Sequence, residues 1–469
     1  MSMKLKTIVA SLVALGLSGS VFAAQPYYMD TSYQLDVMRD QMNKVDLILD
    51  QNQPGGFDQP CGWTCRINLS GWINADAYIA NRPPVFLNFN PIFNPLNAVS
   101  PTNHLLIPTT GRASDLLLNN ANLFVDARVN NWVTAMMSLV YSSLTGVPGS
   151  TGPYNIANSL FVYHPLNRTN LDTAYATIGN FNASPIYFRV GKEYVPFGQY
   201  DPYAFVQSEN PTQLFTEINQ TTAQLGFILP NGFYGSAYTF AGNPKLNDAG
   251  STRRIQNGGV DLGFGWKAWN SKINVDAGWI ANIADSNFLS SYYLNQLIEG
   301  TNVPGLPNQK SPAWDVNADL TFGPFDANGH YIATTRNLGN PLFLSGFSGG
   351  TNAIAGAPFS LGKPTVWGLE AGLTFPVMAH QSRVALGWQQ TTHLASFLPK
   401  KRIYADYMVN VAKWFDVGLA VFQDRDYSNG EGAITTTTGT TAPVTVIVHP
   451  GATGGKSTVG QLRASVKFA

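Results

Sequence analysis

Charge is scarce in this chain: Asp, Glu, Lys and Arg make up 12% of 469 residues, against about 25% in ordinary soluble domains. Neither sign is in excess, since 28 basic residues balance 28 acidic ones. That balance sets aside nucleic-acid binding, which needs a basic field. Only two cysteines occur, Cys61 and Cys65, so the chain is no disulfide-built scaffold. Beyond the N-terminus no apolar run is long enough for a spanning helix, and residence in a membrane would have to come from a closed barrel. Catalytic signatures are missing as well. There is no Gly-Lys-Ser/Thr phosphate loop, no His-Glu-x-x-His and no nucleophile elbow. The six histidines (His104, His164, His330, His380, His393, His449) are scattered singly. An enzyme is not expected, nor a metal centre or cofactor.

What the chain has is alternation. Ile67, Leu69, Ile73, Ala75, Ala77 and Ile79 share one face of a strand, and Asn68, Ser70, Trp72, Asn74 and Asp76 the other. Leu123, Val125, Ala127 and Val129 oppose Asn120, Asn122, Asp126, Arg128 and Asn130. At the end, Leu462, Ala464, Val466 and Phe468 oppose Gln461, Arg463, Ser465 and Lys467. Sixteen such segments read as strands at about 66–79, 116–129, 131–142, 171–180, 185–195, 221–229, 233–241, 256–268, 272–284, 313–322, 325–336, 365–375, 382–392, 402–411, 415–425 and 459–468. Their spacers alternate short and long, which is how a transmembrane antiparallel β-barrel with tight periplasmic turns and long outer loops is written. Fourteen or eighteen strands would also fit the pattern. A soluble all-β protein with one wet face alternates too, but three features favour the membrane.

First, Lys4 and Lys6 precede an apolar run from Thr7 to Leu17, with Val21 and Ala23 at the positions a signal peptidase reads. Residues 1–23 are therefore expected to be a secretory signal peptide. Second, Asn, Gly, Ser and Thr fill the polar positions, so mean hydropathy is near zero despite the low charge. Third, each short connection has an aromatic beside it: Trp132, Phe181, Phe233, Trp269, Phe322 with Phe325, Phe375, and Trp414 with Phe415. A girdle at the periplasmic interface requires that placement. The location expected is the bacterial outer membrane, with its lipid as the first partner.

Residues 24–65 read as a periplasmic segment and 66–469 as the barrel. Leu35, Met38, Met42, Val45 and Leu49 recur at spacings of three and four, giving an amphipathic helix over Thr31–Asp50. It could pair with copies of itself in a homotrimer or pack under the barrel mouth, so the barrel is read as a monomer or a trimer. Cys61 and Cys65 suit a tight disulfide in an oxidising periplasm. A redox or metal role for them stays open, although no His cluster accompanies them.

Inward positions carry Asp76, Asp126, Asp261, Asp276, Asp319, Glu370, Asp406 and Asp424 beside Arg128, Arg189, Lys267, Arg336, Arg383, Arg463 and Lys467. In such a mixed lumen opposite charges brace one another across the bore and narrow it, or some line a solute path, and both can hold in one barrel. Two loops add candidates. The 80–115 loop presents Arg82, Phe86, Phe89 and Phe93 in an unusually apolar stretch, suited to fold over the barrel, cover a neighbouring subunit or offer an aromatic platform. The 196–220 loop carries Tyr200, Tyr203 and Glu209 after Pro196-Phe197-Gly198, with the length and stiffness to constrict a pore. Gly430–Gly455 reads as a mobile surface loop. With Arg128, Arg189, Glu370 and Arg383 from the wall, these residues are the ligand or pore candidates.

The stretch Arg189-Val190-Gly191-Lys192-Glu193-Tyr194-Val195-Pro196-Phe197-Gly198 resembles strand-to-loop wording of the phosphate-selective-porin group. More closely, the chain resembles the siderophore-porin family typified by the legiobactin outer-membrane receptor of Legionella, with relatives in Francisella. The likeness spans the order of parts: signal peptide, short helical segment, cysteine pair and about sixteen strands. It implies uptake of a ferric siderophore, or a similar hydrophilic chelate, through a barrel without a plug. The strands and loops consume the chain from Arg66 onward, which leaves no room for a plug domain. A general or anion-preferring diffusion porin is the alternative, and a structural or adhesin barrel the third.

Overall fold

The computed structural model describes residues 67–81, 113–142, 168–198, 204, 211–242, 255–268, 271–287, 289, 310–340, 359–360, 362–378, 380–394, 398–428, 433–437, 443–447 and 454–468. The expected signal peptide over 1–23, the expected helix over 31–50, Cys61, Cys65 and nearly all of the 80–115 loop, with Arg82, Phe86, Phe89 and Phe93, lie outside them. So do Tyr200, Tyr203 and Glu209.

In chain order the strands are β1 (Ile67–Ala80), β2 (Ala113–Arg128), β3 (Val133–Ser142), β4 (Arg168–Gly179), β5 (Ile186–Tyr194), β6 (Asn219–Ile228), β7 (Phe233–Phe240), β8 (Asn257–Ala268), β9 (Ser271–Ile280), β10 (Ala313–Phe322) and β11 (Phe325–Thr334). There follow β12 (Gly339–Asn340), β13 (Phe359–Ser360), β14 (Thr365–Val377), β15 (His380–Thr392), β16 (Lys401–Ala412), β17 (Phe415–Arg425), β18 (Ala433–Thr437), β19 (Pro443–Ile447) and β20 (Lys456–Phe468). Sixteen of them close into one barrel in the order β1 to β11, β14 to β17 and β20, which pairs back onto β1. Every neighbour is antiparallel; β1, for example, sets Asp76 against Leu117 on one side and Arg463 on the other. Closure leaves no edge strand, the condition for a sheet to stand in lipid.

The barrel is inside-out relative to a soluble one. On β10 Trp314, Val316, Leu320 and Phe322 face outward and are exposed, while Asp315 and Asn317 face inward and are buried. On β1 Trp72, Asn74 and Asp76 point in, and Leu69, Ile73 and Ile79 point out. Aromatics gather at both ends of the outer face. Trp132, Phe233, Phe322, Phe325 and Trp414 mark the short-turn rim, and Trp279, Trp314, Tyr331 and Trp388 the long-loop side. From Trp314 to Phe322 a strand tilted by about 40° rises about 20 Å, which suits an apolar band of roughly 25 Å. A soluble sheet has no use for such a belt.

Turn chemistry sets the short links. In Pro230-Asn231-Gly232 the glycine takes φ +94°, and its amide donates to Leu229 O at 3.0 Å while Leu229 N donates to Phe233 O at 2.7 Å. Asn130 Oδ1 accepts from Trp132 N and Val133 N at 2.8 and 2.9 Å, closing the β2–β3 turn. Inside, four tyrosines lie over glycines directly opposite them in the register: Tyr187 over Gly226, Tyr234 over Gly263, Tyr238 over Gly259 and Tyr404 over Gly387. A Cβ at any of these glycines would overlap the ring, so each pair locks register as well as packing.

Four expectations change. Strand β2 starts at Ala113 rather than near 116 and carries a bulge opposite Asn74/Ala75. The bulge interrupts the period of two that located the strand. Arg336 lies beyond the end of β11 and is exposed, not on the inner wall. The 196–220 loop contains a short helix, α1 (Pro211–Thr216), which is buried. The Gly430–Gly455 stretch is more than a plain surface loop, because β18 and β19 pair within it.

Candidate functional site

The lumen is the candidate site, and its wall is assembled by strand parity. Three ion pairs run along the wall between neighbouring strands. Arg463 donates to both oxygens of Asp76, Nε to Oδ1 at 2.7 Å and Nη2 to Oδ2 at 2.8 Å. Gln461 Nε2 and the bulge residue Asn119 Nδ2 also donate to Asp76 Oδ2, at 2.9 and 2.6 Å. Arg402 makes the same two-pronged contact with Asp424, at 2.7 and 2.8 Å, and stacks over Phe422. Lys467 pairs with Asp416. The bracing expected across the lumen is therefore lateral: opposite charges meet on adjacent strands, where parity puts them side by side.

Arg189 belongs to a similar knot. It donates to Thr177 Oγ1 at 3.0 Å, meets Glu193 at 3.4 Å and lies over the Tyr175 ring at 4.6 Å. Glu193 in turn accepts from Thr222. These contacts occupy Arg189 with the wall, so it braces the strand rather than offering a free guanidinium. Arg383 is also on the inner wall and buried, whereas Arg128 is exposed at the short-turn mouth.

Strands β8 to β11 form a different arc. Asp261, Asp276, Asp315, Asp319 and Asp326 lie there, with Lys267 and Lys272 facing each other at its short-turn end as its cations. Amides and hydroxyls hold these carboxylates. Asn317 Nδ2 donates to Asp276 Oδ1 and Asp315 Oδ2, each at 2.8 Å, and Ser236 donates to Asp261. Carboxyl groups outnumber cations in this part of the wall, five against two.

The long-loop half of the lumen is narrowed from within. The segment after β5 turns inward at Val195-Pro196-Phe197 and brings α1 against β14 and β15. Pro211 opens α1, where its missing N–H costs nothing, and Leu214 and Phe215 are buried. Around them Phe197, Ile218, Phe240, Ile283, Ile332, Val366 and Leu398 join one apolar cluster. Since outward side chains of a single-walled barrel meet lipid, buried ones lie inside. Two polar contacts fasten the segment to the wall. Ala204 N donates to Glu370 Oε1 at 3.0 Å, and Thr212 Oγ1 lies 2.5 Å from His330 Nε2. Tyr404 OH also donates to Glu370. Of the sequence candidates, Glu370 is thus a fastening for the inward loop. Asp315, Arg402 and Asp416, which the sequence reading passed over, belong on the inner wall; the parity of Asp319 would have placed Asp315.

A closed antiparallel barrel, apolar outside and polar inside, defines an outer-membrane β-barrel. No family model matches the chain. It is 27% identical over 331 residues to the UPF0422 protein lpg2959 of Legionella pneumophila, covering 68% of this chain and 56% of that protein. It is 23% identical over 347 residues to a UPF0422 protein of Coxiella burnetii, covering 72% and 65%. The chain thus spans 56% of the length of the Legionella relative, whose name states no cargo. Among solved structures, it is similar to the outer membrane channel DcaP of Acinetobacter baumannii at 12% identity and TM-score 0.45, covering 86% of this chain and 97% of the other. An anion-selective porin from Comamonas acidovorans gives 11% and 0.46, covering 86% and 99%. OmpF of Salmonella typhi in complex with daunomycin gives 10% and 0.48, covering 86% and 97%. The fold assignment rests on the strand register and not on these likenesses.

Proposed function

We propose that this barrel is an outer-membrane diffusion channel for small hydrophilic solutes, narrowed by the inward fold of the β5–β6 segment. One observation carries the reading: a polar, hydrogen-bonded inner wall with α1 seated inside its long-loop half. A structural barrel would have no use for a separate loop fastened to the wall at Glu370 and His330. Carboxyl groups outnumber cations on β8 to β11, so a cation preference is the charge selectivity to test against the anion-preferring variant. The ferric-siderophore cargo implied by the family resemblance gains no support from any described residue, so the broader reading is the one proposed. Swelling of liposomes loaded with this protein, tested with sugars of graded size, checks it. Swelling with the smaller sugars and a sharp upper size limit is expected, and the limit should rise when Leu214 and Phe215 are both changed to Ala. Swelling with no sugar, in wild type or variant, would leave the diffusion reading without support.

A further inference from the structure

The outer face holds a feature that solute passage does not use. Lys401 pairs in register with Arg425, and Arg425 with Lys456, so three cations stand side by side on β16, β17 and β20. Parity turns all three outward, because Arg402, Asp424 and Ser457 next to them are buried inside. Arg425 and Lys456 are exposed and Lys401 is half-buried. Like charges directly opposite on neighbouring strands destabilise a sheet. Yet none of the described ion pairs includes any of the three. Among the described residues no other register row sets cations on three adjacent strands.

Their height is informative. Below them the same faces carry Ile403 and Tyr407, Val421 and Leu419, and Leu462 and Val466, all exposed apolar side chains. From Phe415 in the short-turn girdle to Arg425 the strand rises about 25 Å, the height of a barrel's apolar band. The row therefore stands where hydrocarbon gives way to headgroups on the long-loop side, the outer leaflet. It continues sideways through Gln390 to Trp367. Trp367 stacks with Trp388 at 6.5 Å, and Lys401 Nζ lies 5.2 Å from the Trp388 ring. Tryptophans fix the interface, and the cations stand in the register row of Trp367, one outward row above Trp388.

We propose that Lys401, Arg425 and Lys456 form a binding site for the phosphate groups of an outer-leaflet glycolipid of the lipid A type. A phosphate would relieve the mutual repulsion of the row. Arg425 at its centre offers a planar fork for two oxygens, while the flanking lysines add point charges. The acyl chains would lie along the apolar faces below. Lysine stems can also reach headgroups without any specific ligand, and the experiment separates the two cases.

Native mass spectrometry of the full chain, folded in detergent and titrated with diphosphoryl lipid A, is the test. The wild type should retain lipid A, and the K401Q/R425Q/K456Q triple variant should bind it about 100-fold more weakly, from three cations each contributing several-fold at a membrane surface. The charge-conserving K401R/R425K/K456R set should bind within a few-fold of wild type. It controls for folding, as does the heat-dependent gel migration of the glutamine variant. Dephosphorylated lipid A and phosphatidylglycerol should bind at least ten-fold more weakly than diphosphoryl lipid A, and inorganic phosphate at millimolar concentration should not displace the lipid. Equal lipid A binding by the glutamine variant overturns the proposal. Binding indifferent to removal of the phosphates does so too, and so does equal retention of phosphatidylglycerol.

Discussion

Replacing Glu370 with Ala should loosen the segment that narrows the lumen. In the wild type this buried carboxyl accepts from Ala204 N at 3.0 Å and from Tyr404 OH. Tyr404 belongs to β16 and loses that partner whether the loop is in or out, so its cost cancels. The Ala204 amide is different: folded inward it would be buried without this acceptor, and released it would meet water. Leaving a buried donor unpaired costs about 1–3 kcal/mol, so the inward state loses about that much of its advantage. The equilibrium between inward and released loop then moves by roughly five- to 150-fold. Single-channel recording in planar bilayers reads this directly, as larger mean conductance or as frequent steps between two levels. Glu370→Gln keeps an acceptor for Ala204 and should behave closer to wild type. Traces of Glu370→Ala that match wild type in level and noise would refute the idea that this contact holds the constriction.

Three further outcomes follow from the geometry. Asp76→Asn removes the charge facing the fully buried Arg463 and should cost about 3–5 kcal/mol, read as a lower urea midpoint in micelles; an unchanged midpoint would mean the pair is not buried as described. Gly387→Ala forces a methyl into the Tyr404 ring and should cost about 1–3 kcal/mol, partly recovered when Tyr404 is also changed to Ala. If Gly387→Ala unfolds like wild type, the tyrosine-over-glycine pairing has no energetic role. Changing Asp276, Asp315 and Asp319 together to Asn should move the reversal potential in a salt gradient away from cation preference, and no movement would place the selectivity elsewhere.

The barrel itself was legible because a period of two needs only residue identities. All sixteen barrel strands fall within a few residues of their expected spans, and Trp72 and Asp76 point inward as their parity requires. The misplaced start of β2 has a local cause in the bulge facing Asn74/Ala75, which breaks that parity. The site was less legible. Pro211–Thr216 is too short for a helical period to show, and Leu214 and Phe215 are explained by what surrounds them rather than by spacing. Glu370 looked like a wall carboxylate because its partner Ala204 lies 166 residues away. The row of Lys401, Arg425 and Lys456 is outward by parity alone, but only the register shows that the three meet.

The central claim is that a water-filled path runs through this barrel past α1. Conductance of the purified protein in a planar bilayer, compared with a variant whose 199–210 segment is shortened, tests it most directly. Ohmic single-channel steps are expected, with larger steps in the shortened variant and a modest preference for cations. If neither protein gives steps while both show the gel migration of a folded barrel, the lumen is sealed and the channel reading is wrong.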